Sequence, residues 1–365
     1  MKIICTQENL KNGLMTVGRI ISSTNTLPIL NNILLKTENG QLRLSTTNLE
    51  IGITTYIRCK IEEEGETTVL CKTITDLVGN LPNQNITLET QNSQMSIETE
   101  NYHTVIKTLS AEEFPLIPVV ENSHPVSIDG QELKKSLDQV AFAASTNQTQ
   151  PEISGVLFTM ENNILKIVAT DRYRLAEKTL KLPQSQALAQ VIIPHKTIME
   201  FSRVIGGQKG SAELSFTETQ ISFKFNNTEI ISRLVDGQYP DYKQIIPAEF
   251  NTEIVTEKQP LVSALKASGI FSQTTHSVKL DFPENRQVLV LNTESQELGK
   301  SQVELPSQIK GKSGTVVLNY HYILDCLSVL DGEKVVMKIV NDSTASLLVP
   351  QGQNDYFYLV MPIKS

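Results

Sequence analysis

The chain has 365 residues, 39% of them hydrophobic and 20% charged, with a formal net charge of −8. No run of about 18 apolar residues occurs, which excludes a helical membrane span. The acidic balance argues against a protein that grips phosphates over a large area. A single core stops growing beyond roughly 250 residues, so this length predicts two or three domains.

The N-terminal stretch MKIICTQENLKNG turns polar too soon for a signal peptide, and the expected location is the cytoplasm. Cys5, Cys59, Cys71 and Cys326 form no CxxC pair and the five histidines are scattered, so reduced thiols and no metal or other cofactor are expected. Residues 2–21, KIICTQENLKNGLMTVGRII, alternate and then switch to a helical stripe of Leu10, Leu14, Val17 and Ile21. A hairpin follows in ILLKTENGQLRLSTTN, turning at Asn39-Gly40, and then a second helix in KTITDLVGNLP. More alternating strands end at Phe114-Pro115.

The same plan returns twice. Residues 125–143 give a strand and a stripe of Leu133, Leu137 and Val140, then a hairpin expected to turn near Asn162-Asn163, a helix in HKTIMEFSRVIGG, and a close at Tyr239-Pro240. Residues 252–270 give a shorter stripe, Leu261, Ala264 and Leu265, because Ser268 stands where it would continue. A hairpin near Glu284-Asn285, a helix in YHYILDCLSVLDG and a close at Met361-Pro362 follow. The spacing predicts three tandem domains, 1–121, 122–249 and 250–365, with two helices and about eight strands each. The linkers are expected in ENSHP and PAEFN.

Three like domains in a row suggest an arc, and an arc can close through a head-to-tail contact. With helices about 9–10 Å apart, six helices would fill their own circle, whereas twelve from two chains leave roughly 26 Å clear. That admits a DNA duplex and makes a homodimer the smallest useful ring. A ring holds DNA by topology, so an acidic exterior is no obstacle. Lys11, Arg19, Lys72, Lys196, Arg203 and Lys266 sit on or beside the candidate inner helices as loose phosphate contacts.

No catalytic constellation competes with this reading. His321 and Asp325 share a helical face, which reads as a surface pair. GGQKG at 206–210 lacks the spacing of a phosphate loop and reads as a helix stop. In VATDRYRLAEK, Asp171 reads as a turn former and not as a catalytic acid. Two other classes stay open: a nonspecific DNA-binding protein without ring closure, and a β-rich hydrolase dependent on Asp171.

Four stretches in order, LPIL at 27–30, VATDRYRLA at 168–176, LVDGQYPDY at 234–242 and YLVMPIK at 358–364, resemble the bacterial beta sliding clamp family across essentially the whole chain. The resemblance implies an α+β chain of three DNA-clamp domains, each with two helices on the inner side and β-sheets outside, closed into a head-to-tail homodimeric ring. It implies a non-catalytic processivity factor, loaded onto DNA by an ATP-driven clamp loader. The polymerase III catalytic subunit, other polymerases and repair proteins would dock through short peptides of a Gln-Leu…Leu-Phe type. The matching docking positions are Ile153, Thr170, Arg172, Tyr173, Arg174, Leu175, Pro240, Gln244, Ile245, Thr344, Ser346, Leu359, Val360, Met361, Pro362 and Ile363. Leu175, Ile245, Val360 and Met361 would wall the pocket, and Arg174 would lay its stem on it with its head at the rim. His195-Lys196 matches a DNA-facing pair. Thr104, Ile106, Ile270 and Phe271 match the ring-closing contact, with Thr104 where phenylalanine is often found. Other departures are Arg172-Tyr173 in place of a small residue and histidine, Gln244 in place of a basic residue, Thr24 in place of an arginine, and Pro151-Glu152 in place of aromatic DNA contacts.

Overall fold

The computed structural model describes residues 1–21, 27–120, 125–147, 149–272 and 274–363, with the side chains of 184–188 not described. Thr24, most of the expected linker ENSHP and Lys364 of YLVMPIK lie outside the described residues. Seven α-helices occur among those described: α1 Gln7–Val17, α2 Cys71–Asn80, α3 Gly130–Ala141, α4 Pro151–Ser154, α5 His195–Ile205, α6 Lys258–Gly269 and α7 Tyr320–Val329.

Each repeat opens as its periodicity predicts, with a strand running straight into a helix. Thr6 caps α1 by accepting from Asn9 N at 3.3 Å, and Asp129 Oδ1 accepts from Glu132 N at 2.9 Å at the start of α3. Leu10, Leu14 and Val17 are fully buried, as are Leu133, Leu137 and Val140, and Leu261 and Leu265. Ile21 lies past the end of α1, and Ile20 takes the buried position instead. Ser268 continues the third stripe after all. It is fully buried, and its carbonyl accepts from Thr293 Oγ1 at 3.0 Å. Gly13 lets α1 lie close on its sheet: a Cβ there would stand 2.8 Å from Leu44 Cδ1 and 2.9 Å from Ile57 Cγ2.

The chain forms two compact units. One, Met1–Lys134 with Lys196–Leu234, holds a thirteen-stranded sheet among the described residues. Its order begins Val126–Asp129, Ser211–Phe216, Gln220–Phe225, Thr228–Arg233, Ile51–Arg58, Gln41–Thr47 and Asn32–Glu38. It continues Glu66–Leu70, His103–Leu109, Gln94–Glu98, Asn85–Gln91, Lys2–Thr6 and Lys60–Glu63. The other, Lys135–His195 with Val235–Ser365, holds ten strands among the described residues. Their order is Gly155–Thr170, Arg174–Pro194, Tyr356–Val360, Ser346–Pro350, Lys334–Ile339, Thr252–Glu257, Gly299–Gly311, Val288–Ser295, Ser277–Phe282 and Gly314–Asn319. Strands of the middle repeat thus extend the sheets of both neighbours.

The tight turn expected at Asn39-Gly40 is present, with φ of 50° and 75°. The turn expected near Asn162-Asn163 takes another form. Gly155–Thr170 is assigned as one strand, and its register with Arg174–Pro194 breaks on both sides of Asn162, which has φ 55°. The first half pairs with 189–194 and the second with 175–181. That repeats the pairing of Asn32–Glu38 with Glu66–Leu70 and of Gln41–Thr47 with Ile51–Arg58. Asn162 therefore stands where the first repeat has its hairpin tip.

Candidate peptide-docking site

VATDRYRLAEK forms the reversal between Gly155–Thr170 and Arg174–Pro194, and its polar residues are spent on holding that reversal. Thr170 Oγ1 accepts from Arg172 N at 3.1 Å and donates to Arg174 O at 2.7 Å. Asp171 Oδ1 accepts from Tyr173 N at 2.9 Å and Arg174 N at 3.0 Å, which is the turn-forming role expected of it. Arg172 has φ 77°, a left-handed conformation that favours glycine.

Arg174 departs from the expected rim position. Its side chain is only 13% exposed. Nε donates to Asp171 Oδ2 at 2.8 Å, Nη1 to Asp325 Oδ2 at 2.5 Å and Nη2 to Phe142 O at 3.0 Å. The guanidinium also lies 4.5 Å from the Tyr322 ring centroid and 5.5 Å from that of Phe142. Burial works against its charge, but Tyr358, Asp325 and Asp171 outweigh burial and raise its pKa. Arg174 is therefore a clamp joining the turn to α7. Asp325 is committed to it, which replaces the expected surface pair with His321. His321 instead packs on Tyr320 and His276, at 4.2 and 4.9 Å between ring centroids.

The C-terminal stretch is the second wall. Tyr356–Val360 is an inner strand, pairing with Arg174–Pro194 on one side and Ser346–Pro350 on the other. Past its end, Met361 N donates to Tyr173 O at 2.8 Å and Ile363 N to Val317 O at 2.8 Å. The floor is a cluster that includes Leu157, Leu175, Tyr239, Tyr242, Leu347 and Leu359, with Met361 packed against it. Tyr242 donates to Glu177 Oε2 at 2.7 Å, anchoring the short 3-10 helix Tyr242–Ile245. Asp241 Oδ2 holds the Gln244 amide at 2.9 Å.

The expected docking residues thus divide by depth. Ile153, Thr170, Leu175, Ser346, Leu359 and Val360 are buried, and Leu175 and Leu359 belong to the floor cluster. Thr344, Met361 and Pro362 are half-buried, while Arg172, Tyr173, Pro240, Gln244, Ile245 and Ile363 are exposed. Leu175 and Val360, expected as apolar walls, are fully buried. Ser346 Oγ is buried without a hydrogen-bond partner. Sequence reasoning missed Phe142 and Tyr322, since nothing in the spacing announces that two aromatic rings will flank one arginine.

The other expected groups stand apart from this site. Arg19, Lys72, Lys196, Arg203 and Lys266 are exposed, and Lys11 and His195 are half-buried. Arg203 is bound to Glu200 at 2.5 Å, which offsets its charge. Ile106 and Thr104 are half-buried; the exposed apolar residues of that strand are Val105 and Leu109. Strand alternation puts 103, 105 and 107 opposite 104 and 106. Ile270 is exposed and Phe271 half-buried. No helix is long and apolar enough to cross a membrane, and no group of three or more metal-ligating side chains occurs among the described residues.

The chain is thus a mixed helix-and-sheet protein of three like repeats, in which the turn at Thr170–Arg174, the 3-10 helix Tyr242–Ile245 and the segment after Val360 pack around one apolar cluster. Family models for the N-terminal, central and C-terminal domains of the DNA polymerase III beta subunit match residues 1–118, 127–241 and 243–364. The chain is 30% identical to the beta sliding clamp of Streptococcus pneumoniae serotype 4, over 97% of this chain and 96% of that protein. It is 29% identical to that of Synechococcus elongatus, over 100% and 99%. Among solved structures, the Bacillus subtilis DNA polymerase sliding clamp superposes with a TM-score of 0.96 at 26% identity, covering 100% and 99%. The Pseudomonas aeruginosa clamp bound to griselimycin does so with a TM-score of 0.96 at 27% identity, covering all of both chains. The chain belongs to the DNA polymerase III beta subunit family, the beta sliding clamps.

Proposed function

We propose that the chain is a non-catalytic processivity clamp: a head-to-tail homodimer encircles duplex DNA and tethers the replicative polymerase and other replication and repair proteins to it. The observation that supports this most is the match to sliding clamps along the full chain, in all three repeats. Domains at 1–121, 122–249 and 250–365 and a cytoplasmic location go with that reading.

Ring closure has a physical basis in two open strand edges. His103–Leu109 pairs along Gln94–Glu98 on one side, but on the other only Thr108 and Leu109 are paired. Gly299–Gly311 pairs with Thr252–Glu257 only from Ser307 onward, leaving its first part open on that side. Two such edges on two chains are suited to main-chain pairing. Val105, Ile106, Ile270 and Phe271 supply the apolar contacts, and Thr104 makes that patch smaller than a phenylalanine would. DNA inside the ring meets Lys11, Arg19, Lys72, His195, Lys196, Arg203 and Lys266 loosely and without sequence readout.

Partners dock in the groove of Thr170–Leu175, Pro240–Ile245 and Leu359–Ile363. Exposed Ile245 and half-buried Met361 are the first apolar surfaces a leucine or phenylalanine anchor meets. A clamp-motif peptide should bind the wild type and lose at least about tenfold in affinity in a Met361→Ala/Arg174→Ala double variant, the effect of about 1.4 kcal/mol. Unchanged affinity in a folded double variant would overturn the docking assignment.

A further inference from the structure

The first repeat holds a second copy of the docking turn. In TTNLEIG, Thr47 Oγ1 accepts from Leu49 N at 3.0 Å and donates to Ile51 O at 3.1 Å. Asn48 Oδ1 accepts from Glu50 N at 3.0 Å and Ile51 N at 2.8 Å. Leu49 has φ 75°, beside 77° at Arg172. These are the bonds and the backbone that Thr170, Asp171 and Arg172 make. The strand that follows is also paired alike. Ile51 and Gly52 pair with Ser232 and Ile231, as Arg174 and Leu175 pair with Val360 and Leu359. Arg233 N donates to Glu50 O at 2.9 Å, where Met361 N donates to Tyr173 O. The turn at Thr170–Arg174 thus recurs within the unit that contains the first repeat.

The differences decide what the second groove can hold. Its cavity is about 200 Å³. That is below the ~300–1,000 Å³ of sites that take a drug-sized ligand, so it has room for one aliphatic side chain and not two anchors. Gly52 stands where the other groove has Leu175, and Ile117 fills the space: a Cβ on Gly52 would lie 2.8 Å from Ile117 Cγ2. The rim carries two exposed leucines, Leu49 at 48% and Leu116 at 98%. Arg233 stands at the same rim, exposed, and pairs with no carboxylate among the described residues. No arginine clamps this turn, since Ile51 holds the place of Arg174.

We infer that the groove around Leu49, Gly52, Leu116, Ile117 and Arg233 is a second, weaker docking site for an extended peptide segment with one leucine-type anchor and an acidic neighbour. The anchor enters the cavity between the two exposed leucines, and the acidic group faces Arg233. The inference rests on the docking reading of the first groove. It gives each chain a strong two-anchor site and a weak one-anchor site, so that a partner with two motifs can be held at both.

The test uses a Gln-Leu…Leu-Phe peptide with an acidic residue beside the leucine anchor and a benzophenone side chain at its last position. It is photo-crosslinked to the full chain over a range of concentrations, and the adducts are mapped by mass spectrometry. Adducts at Met361 and Pro362 should saturate first. Adducts at Leu49, Leu116 or Arg233 should follow at about ten- to hundredfold higher peptide, the effect of one missing aliphatic anchor. A Leu49→Gly/Leu116→Ser variant, which changes only exposed side chains, should lose the second set and keep the first. Only the first set, or a second set that survives in the variant, would overturn the second site and leave the first standing. Only the second set would support it and overturn the first groove. Absence of both would overturn peptide docking on either turn.

Discussion

At the scale of single residues, the turn at Thr170–Arg174 is built under strain and held by charge. Arg172 adopts a left-handed backbone that costs a non-glycine residue roughly 1 kcal/mol. Arg172→Gly should therefore raise the unfolding free energy by up to about that amount, less the unfolded-state entropy of glycine, and move the urea midpoint upward. Arg174→Ala should do the opposite. It leaves Asp171 and Asp325 without their cation and should cost about 2–3 kcal/mol, discounted because Asp325 is half exposed. Equal midpoints for Arg174→Ala and wild type would contradict the clamp role. The sequence showed these charges but not their use. An arginine beside an aspartate reads the same whether it faces a ligand or, as here, closes a turn against a helix far along the chain. The Cys5 thiol offers a pH probe. Burial raises its pKa from 9.0 to about 12, helped by Cys59 nearby. The unfolded chain gives up that proton first, so across this window the folded state binds more protons and stability falls as pH rises. Between about pH 8 and about pH 10.5 the urea midpoint should drop, and the drop should be smaller in Cys5→Ala.

At the scale of elements, the three strand-to-helix openings were legible because each rests on a local period change that tertiary packing reinforces. Leu10, Leu133 and Leu261 are all fully buried. The hairpin at Asn39-Gly40 was legible for the same reason, since asparagine and glycine both accept positive φ. Asn162 was half legible. It has the left-handed backbone, but strand assignment passes through it and the register jumps. The strand His103–Leu109 shows two faces: Thr104 and Ile106, matched by motif, are half-buried, whereas Val105 and Leu109 on the strand are exposed. Val105→Asp puts a charge on that exposed face beside the open edge. It should shift the dimer toward monomer by at least about tenfold in sedimentation over a dilution series. A dimer unchanged in that variant would exclude this edge from the contact.

At the scale of the whole molecule, the threefold repeat carries the functional account, and it was legible because it is written in pattern and not in identity. The net charge of −8 would count against a protein that binds DNA by attraction. It does not count against one that holds DNA by closure. Topological retention is therefore the property that separates this account from ordinary DNA binding. The direct measurement is retention of the labelled chain on closed circular DNA after loading, followed by cutting the circle once at moderate salt. Topological holding predicts retention on the intact circle and rapid loss on linearisation, with little dependence on salt before the cut. Equal retention on circular and linear DNA, falling steeply with salt on both, would contradict it.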